Sequence, residues 1–114
     1  MRCQPWLEAA LERANGTHTI SDVVEAIAAG SMQFWPAPRG CAVTEIIKYP
    51  NKKVLHVFLA GGELDQIVEM DSSAAEFARM NGCTAMTIAG RKGWARVLKD
   101  KGYEEAFTVL AKEL

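Results

Sequence analysis

Two side chains in the middle of the sequence have the chemistry of a general base. Glu45 lies in a stretch rich in β-branched residues, and His56 lies in the apolar run that follows it. A glutamate or a histidine can remove a proton from a substrate through a bound water, provided that both reach a common cleft. The alternative is that each marks the wet face of its strand, since a charged residue on an alternating strand usually faces water. The sequence leaves both interpretations open.

A second group of residues has the chemistry needed to hold an anion. Arg91, Lys92 and Arg96 form a basic cluster at and after a turn in the C-terminal third of the chain. Basic side chains bind phosphate oxygens through charge-assisted hydrogen bonds. The same cluster is also expected on the solvated flank of a helix, where long basic side chains cover apolar surface.

Composition and cysteine spacing exclude several other classes of protein. The 114 residues fit one domain, 1–114, and 13 basic against 14 acidic side chains give a formal charge of -1. No overall field therefore attracts nucleic acid or an anionic membrane. The three cysteines, Cys3, Cys41 and Cys83, are odd in number and lack CxxC spacing. We accordingly expect no disulfide framework, no metal site and, because no apolar run approaches a membrane span, a cytoplasmic protein.

The residues that position these side chains fall into four helical segments. Residues 7–14 and 64–78 each repeat apolar side chains at helical spacing, and residues 19–22 resemble a capping box that begins another helix. Trp94, Val97 and Leu98 are spaced to line one face of a short fourth helix, which ends at Gly102. We expect the Trp94 indole in the core.

Five further segments are predicted to be strands: 32–35, 41–49, 54–60, 84–88 and 106–110. The run 54–60 is apolar on both faces, as a central strand should be, and the helix after it predicts a right-handed βαβ unit with a parallel strand at 84–88. The predicted fold class is therefore α/β, of the α+β mixed-sheet kind, in the order ααβββαβαβ. Trp35, before Pro36, is predicted to be an exposed anchor for a partner.

This order of elements, with a glycine turn after the central strand, resembles the GNAT (N-acetyltransferase-like) superfamily over nearly the whole chain. Residues 89–105 carry the most specific part, because a helix there ends in Gly102-Tyr103-Glu104, similar to the Gly-Phe/Tyr-Glu of that superfamily. Segments 32–36, 43–46 and 59–62 resemble, more narrowly, small GNAT-like proteins of tailed phages and prophages.

The resemblance implies a site for acetyl-CoA. In the superfamily one strand splays from its neighbour and leaves backbone groups for pantetheine, and a glycine-rich loop cradles pyrophosphate at a helix N-terminus, where the helix dipole favours anions. Leu59 and Ala60 would be the backbone contacts here, and Gly61 and Gly62 would open a loop running to Gln66. Arg91 and Arg96 lie where they could hold the phosphates.

The sequence departs from the superfamily pattern at two places. No basic residue begins the loop, and Glu63 and Asp65 put negative charge where pyrophosphate would sit. Leu98 stands where the superfamily often has a tyrosine as general acid, and a leucine cannot protonate a leaving thiolate.

Two functions follow as expectations. The first is a phage or prophage accessory or virion-associated protein that has a degenerate acyl-CoA site, binds acetyl-CoA weakly or not at all, and acts by binding a virion or host protein. The second is an active acyl-CoA-dependent N-acetyltransferase acting on a small amine or a protein, with Glu45 and His56 as catalytic residues. The acidic loop and Leu98 favour the first function, and the basic cluster favours the second.

Overall fold

A four-stranded mixed sheet in the order β1-β2-β3-β4 forms the framework of the protein. The computed structural model describes residues 3–13, 16–89, 94–106 and 110–114. The helices and strands in chain order are α1 (Gln4–Arg13), α2 (Ile20–Ala28), β1 (Met32–Ala37), β2 (Gly40–Lys48), β3 (Lys53–Gly62), α3 (Leu64–Met80), β4 (Ala85–Ile88) and α4 (Trp94–Leu98), followed by a 3-10 turn (Lys99–Lys101).

The connections follow the predicted mixed topology. β1, β2 and β3 form an antiparallel meander, and β3 pairs with β4 in parallel, from Val54 opposite Ala85 to Val57 opposite Ile88. The crossover between these two strands is α3, so the predicted βαβ unit is confirmed. The predicted final strand at 106–110 falls largely on residues 107–109, which lie outside the described residues.

The helices bury the two faces of the sheet separately. On one face, Leu7 of α1 and Val23 of α2 pack on Cys41, Val43 and Leu59. On the other face, α3 and α4 lie over the sheet, and the buried side chains there form two adjoining clusters: Ala42, Val57, Ala60, Ile67, Trp94 and Leu98, and Leu55, Ala74, Ala78 and Cys83. All three cysteines are buried and unlinked.

A β-bulge interrupts the pairing of β2 with β3. Val43 lies opposite Leu59, whereas the next residue, Thr44, lies opposite Val57, so Phe58 is the extra residue. Because one residue is inserted, the alternation of side chains shifts, and Phe58 and Leu59 both pack on the α1 and α2 side. Bulges of this kind bend a strand and increase its twist.

Two tryptophan predictions have different outcomes. Trp94 is 8% exposed and Leu98 is buried, as expected, but Val97 is 39% exposed and does not share their face. Trp35 is not an exposed anchor: its Nε1 donates to Thr44 Oγ1 at 2.9 Å, and its ring meets Phe77 edge-on at 5.7 Å. Alternation along β1 puts Trp35 on the face that α3 covers, which explains the error.

Within the described residues, no helix has both the length and the apolar character needed to cross a bilayer. No three His, Cys, Asp or Glu side chains in that part of the chain come together in a way that could hold a metal ion.

Candidate functional site

The connection between β3 and α3 is a single residue, Glu63. The predicted loop from Gly61 to Gln66 does not exist as a loop, because β3 continues through Gly62 and α3 begins at Leu64. Both glycines are strand residues that face β2: Gly61 is opposite Cys41, and Gly62 is opposite Gly40. The sequence prediction was wrong here because glycine is rare in strand interiors and more often marks a turn.

Close packing within the chain explains why both positions are glycine. A Cβ on Gly61 would lie 2.8 Å from Trp6 Cβ and 2.9 Å from Trp6 O, so α1 rests directly on this point of β3. Gly62 has φ of +95°, and a Cβ there would lie 2.4 Å from Arg39 O. Other parts of the protein therefore occupy the space in which a side chain at Gly61 or Gly62 would lie.

Arg39, in the turn between β1 and β2, binds the acidic start of α3. Its Nε donates to Glu63 Oε2, and its Nη2 lies 3.3 Å from Asp65 Oδ2. The backbone of the turn adds two bonds: Glu63 N donates to Arg39 O at 2.8 Å, and Arg39 N donates to Gln66 Oε1 at 3.2 Å. The hydrogen bond and charge of Glu63, and then the charge of Asp65, raise the pKa of Arg39.

Sequence reasoning missed this contact, since Arg39 is 24 residues before Glu63. Only the register of β2 with β3, which brings Gly40 opposite Gly62, puts the two side chains together.

The pairing of β3 with β4 ends before β3 itself does. Their pairing stops at Val57 and Ile88, with one further bond of 3.4 Å from Ala89 N to Val57 O. β3 continues to Gly62 and, within the described residues, keeps only β2 as a strand partner. Leu59 and Ala60 lie in this one-sided part, where the resemblance places the pantetheine contacts, and both side chains are buried.

Glu45 and His56 lie side by side in the sheet. They are register partners on β2 and β3, and His56 Nδ1 is 2.8 Å from Thr87 Oγ1 on β4. The row Glu45–His56–Thr87 thus crosses three strands, one residue before the last pair of β3 and β4. Burial lowers the pKa of His56, partly offset by the negative charge of Glu45. The imidazole is therefore neutral at pH 7 and can accept a proton. The sequence did not indicate Thr87, whose contact depends on the parallel register.

The predicted basic cluster is only partly described. Arg91 and Lys92 lie outside the described residues, whereas Arg96 is exposed on α4 and makes no ion pair with the described residues. Among the described residues, Arg39 rather than Arg96 supplies the positive charge at the start of α3.

A small cavity lies between the sheet and α3. Its volume is about 30 Å³, and the residues around it include Trp35, Thr44, Met70, Asp71, Met86 and Tyr103. Tyr103 fills this region and donates to Asp71 Oδ1 at 2.7 Å. Space of that size holds a water but no thioester group.

No protein-family model matches the chain, and no curated protein matches it in sequence. Solved structures do match. An acetyltransferase from Trypanosoma brucei has a TM-score of 0.65 at 12% identity, covering 82% of this chain and 77% of its own. TTHA1254 from Thermus thermophilus has TM-scores of 0.65 as a point mutant and 0.63 as wild type, at 18% identity, covering 94% of this chain and 89% of its own. The chain has a GNAT-like fold. At these identities, the likeness extends to the fold alone.

Proposed function

We propose that this protein is a GNAT-fold binding protein that does not use acetyl-CoA as a cosubstrate and acts by contacting another protein. The observation that carries the proposal is the one-residue connection between β3 and α3. The superfamily resemblance requires a loop there whose backbone amides surround pyrophosphate. Here Glu63 is the single residue between the end of β3 and the start of α3. Trp6 occupies the space beside Gly61, and the backbone of Arg39 occupies the space beside Gly62.

Electrostatics at the start of α3 supports the same conclusion. The positive end of the helix dipole favours an anion, but Glu63 and Asp65 already supply two carboxylates. Arg39 contributes one positive charge, so the three side chains carry a net charge of -1. A phosphate group arriving here would meet two carboxylates and a guanidinium that is already bonded to them.

Calorimetric titration with acetyl-CoA tests the proposal. We expect no heat of binding at about 100 μM ligand, whereas a micromolar dissociation constant, about -8 kcal/mol, would overturn it. The double variant Glu63→Gln/Asp65→Asn releases Arg39 and should allow weak binding that salt suppresses. Its matched control is Glu25→Gln/Glu113→Gln, which changes the net charge equally at two exposed positions outside α3.

An active N-acyltransferase is the second candidate, favoured by the end of β3–β4 pairing beside the neutral His56. In that case His56 would take the proton from an acceptor amine, and Glu45 would stabilise the resulting imidazolium. The test is release of free thiol from acetyl-CoA in the presence of amines. Turnover that is lost in His56→Gln while acetyl-CoA binding is retained would establish this candidate. The phage or prophage source and the virion location stay predictions of the resemblance, and the cytoplasmic location stays a prediction from the sequence composition.

A further inference from the structure

Part of the sheet face beneath α3 lies open. α3 packs mainly on β2, β3 and β4, so β1 lies at the margin of the helix. The open area is a groove lined by Gly30, Ser31, Gln33, Ile46, Lys48 and Lys53. The groove therefore has a polar end, formed by Gln33, Lys48 and Lys53, and Ile46 supplies the apolar part of its lining.

The polar end carries the positive charge of Lys48 and Lys53. Lys48 and Lys53 are register partners on β2 and β3, so two ammonium groups share one level of the sheet. Lys53 Nζ donates to Asn81 O at 2.6 Å. Within the described residues, neither lysine has a carboxylate partner, because both ion pairs found there belong to Arg39. Like charges directly opposite each other weaken a sheet, so this pair does not stabilise the fold.

The amide of Gln33 adds a hydrogen-bond donor to this end. Its Oε1 accepts a 2.8 Å bond from Thr44 Oγ1, and Thr44 in turn accepts from Trp35 Nε1. The oxygen of the amide is therefore engaged within the sheet, and the amine of the same group remains to donate into the groove. Lys48, Lys53 and Gln33 together offer donors only, which is the chemistry that recognises a carboxylate.

We infer that this groove binds an extended acidic segment of a partner protein, with a carboxylate at Lys48, Lys53 and Gln33 and an apolar side chain against Ile46. The inference rests on the proposed function and specifies the partner that it leaves open. Charge complementarity selects the occupant. From Ile46 to Lys48 is two strand residues on β2, roughly 7 Å, so a peptide that alternates acidic and apolar residues can contact both.

Fluorescence anisotropy tests the inference with a fluorescein-labelled peptide of alternating Glu and Leu flanked by Gly-Ser. The unmodified protein should bind it, with an affinity that falls as NaCl rises, and should not bind the corresponding Lys and Leu peptide. Lys48→Gln should weaken binding of the peptide about tenfold or more, because it removes a charge that attracts the carboxylate. It should not disturb the core, since Lys48 is exposed and its replacement relieves the repulsion with Lys53. Gln33→Glu should weaken binding as well.

Lys112→Gln is the matched control, because it removes one exposed lysine far along the chain and should leave the peptide affinity unchanged. Equal weakening by Lys112→Gln, or none by Lys48→Gln, would overturn the inference. So would displacement of the peptide by a single-stranded oligonucleotide of equal charge, which would assign the groove to phosphates instead. Acetyl-CoA titration separates the two proposals: coenzyme binding refutes only the proposed function, whereas failure to bind the peptide refutes only the groove.

Discussion

The hydroxyl of Tyr103 donates a 2.7 Å hydrogen bond to Asp71 Oδ1, 32 residues earlier in the chain. This bond ties the segment after α4 to the middle of α3, beneath which the small cavity lies. Burial raises the pKa of Tyr103 far above its usual range, and the hydrogen bond and negative charge of Asp71 raise it further. The phenol therefore stays protonated, and remains a donor, throughout the neutral range.

Tyr103→Phe should destabilise the protein by about 1–3 kcal/mol, since it removes the donor and leaves the Asp71 carboxylate half-buried without it. Urea unfolding measures the loss. Tyr49→Phe, at a ring that is 53% exposed, is the control and should change stability by less than about 0.5 kcal/mol. The folded-state pKa of Tyr103 exceeds the unfolded value of about 10, so its contribution is complete below about pH 10 and is lost as pH rises towards the folded value. The unmodified protein should thus lose stability more steeply above about pH 10 than Tyr103→Phe.

Trp94→Ala should cost about 3–5 kcal/mol, because the indole is 8% exposed and packs with Ala60 and Leu98. Val97→Ala, on the same short helix but 39% exposed, should cost less than about 1 kcal/mol. Chemical unfolding of both variants compares the two positions directly. Similar losses at Trp94 and Val97 would show that α4 is not packed as described.

Gly62→Ala should destabilise the protein more than Gly30→Ala. Both glycines have positive φ, of +95° and +83°, but nothing lies within 4 Å of a Cβ at Gly30. Gly30→Ala therefore carries only the conformational cost, about 1–2 kcal/mol, whereas Gly62→Ala adds a steric clash with Arg39 worth roughly 1–3 kcal/mol more. Thermal unfolding should rank the variants in that order, and equal melting temperatures would contradict the tight β3–α3 connection.

His56 should titrate below its ordinary pKa of about 6.5, since burial disfavours the imidazolium. NMR titration of the ring protons measures the value directly. Glu45→Gln should lower the pKa further, because the Glu45 charge opposes the effect of burial. The unfolded chain binds the proton at higher pH than the folded one, so this residue makes the protein lose stability as pH falls below about 6.5 through the folded pKa. In His56→Gln that loss should be smaller, and an unchanged profile would count against a buried neutral imidazole.

Local patterns in the sequence were sufficient to predict much of the framework. Thr19 and Asp22 form the predicted capping box, each side chain bonding the backbone amide of the other residue, because that motif depends on only four residues. The start of α3 at Leu64 and its crossover to β4 follow from periodicity and from the handedness of such connections.

The candidate site was less predictable, because its contacts join distant parts of the chain. Arg39 reaches Glu63 only through the pairing of β2 with β3, and the bulge at Phe58 has no local signal in the sequence. Gly61 and Gly62 were misassigned because a glycine that makes room for α1 or for the backbone of Arg39 is indistinguishable, in a single sequence, from one that makes a turn.

The packing of α1 and α2 on the sheet has a consequence for the growing chain. Leu7 and Val23 leave the ribosome before the strands of the sheet, and their partner Leu59 follows Leu7 by more than fifty positions. At synthesis rates of about 5–20 residues per second, the apolar side chains of α1 stay exposed for several seconds before β3, which buries them, has been synthesised. The apolar side chains of α3 are exposed for a much shorter time, since β2 and β3 are synthesised before this helix. During translation α1 and α2 therefore need protection from aggregation for longer than α3 does.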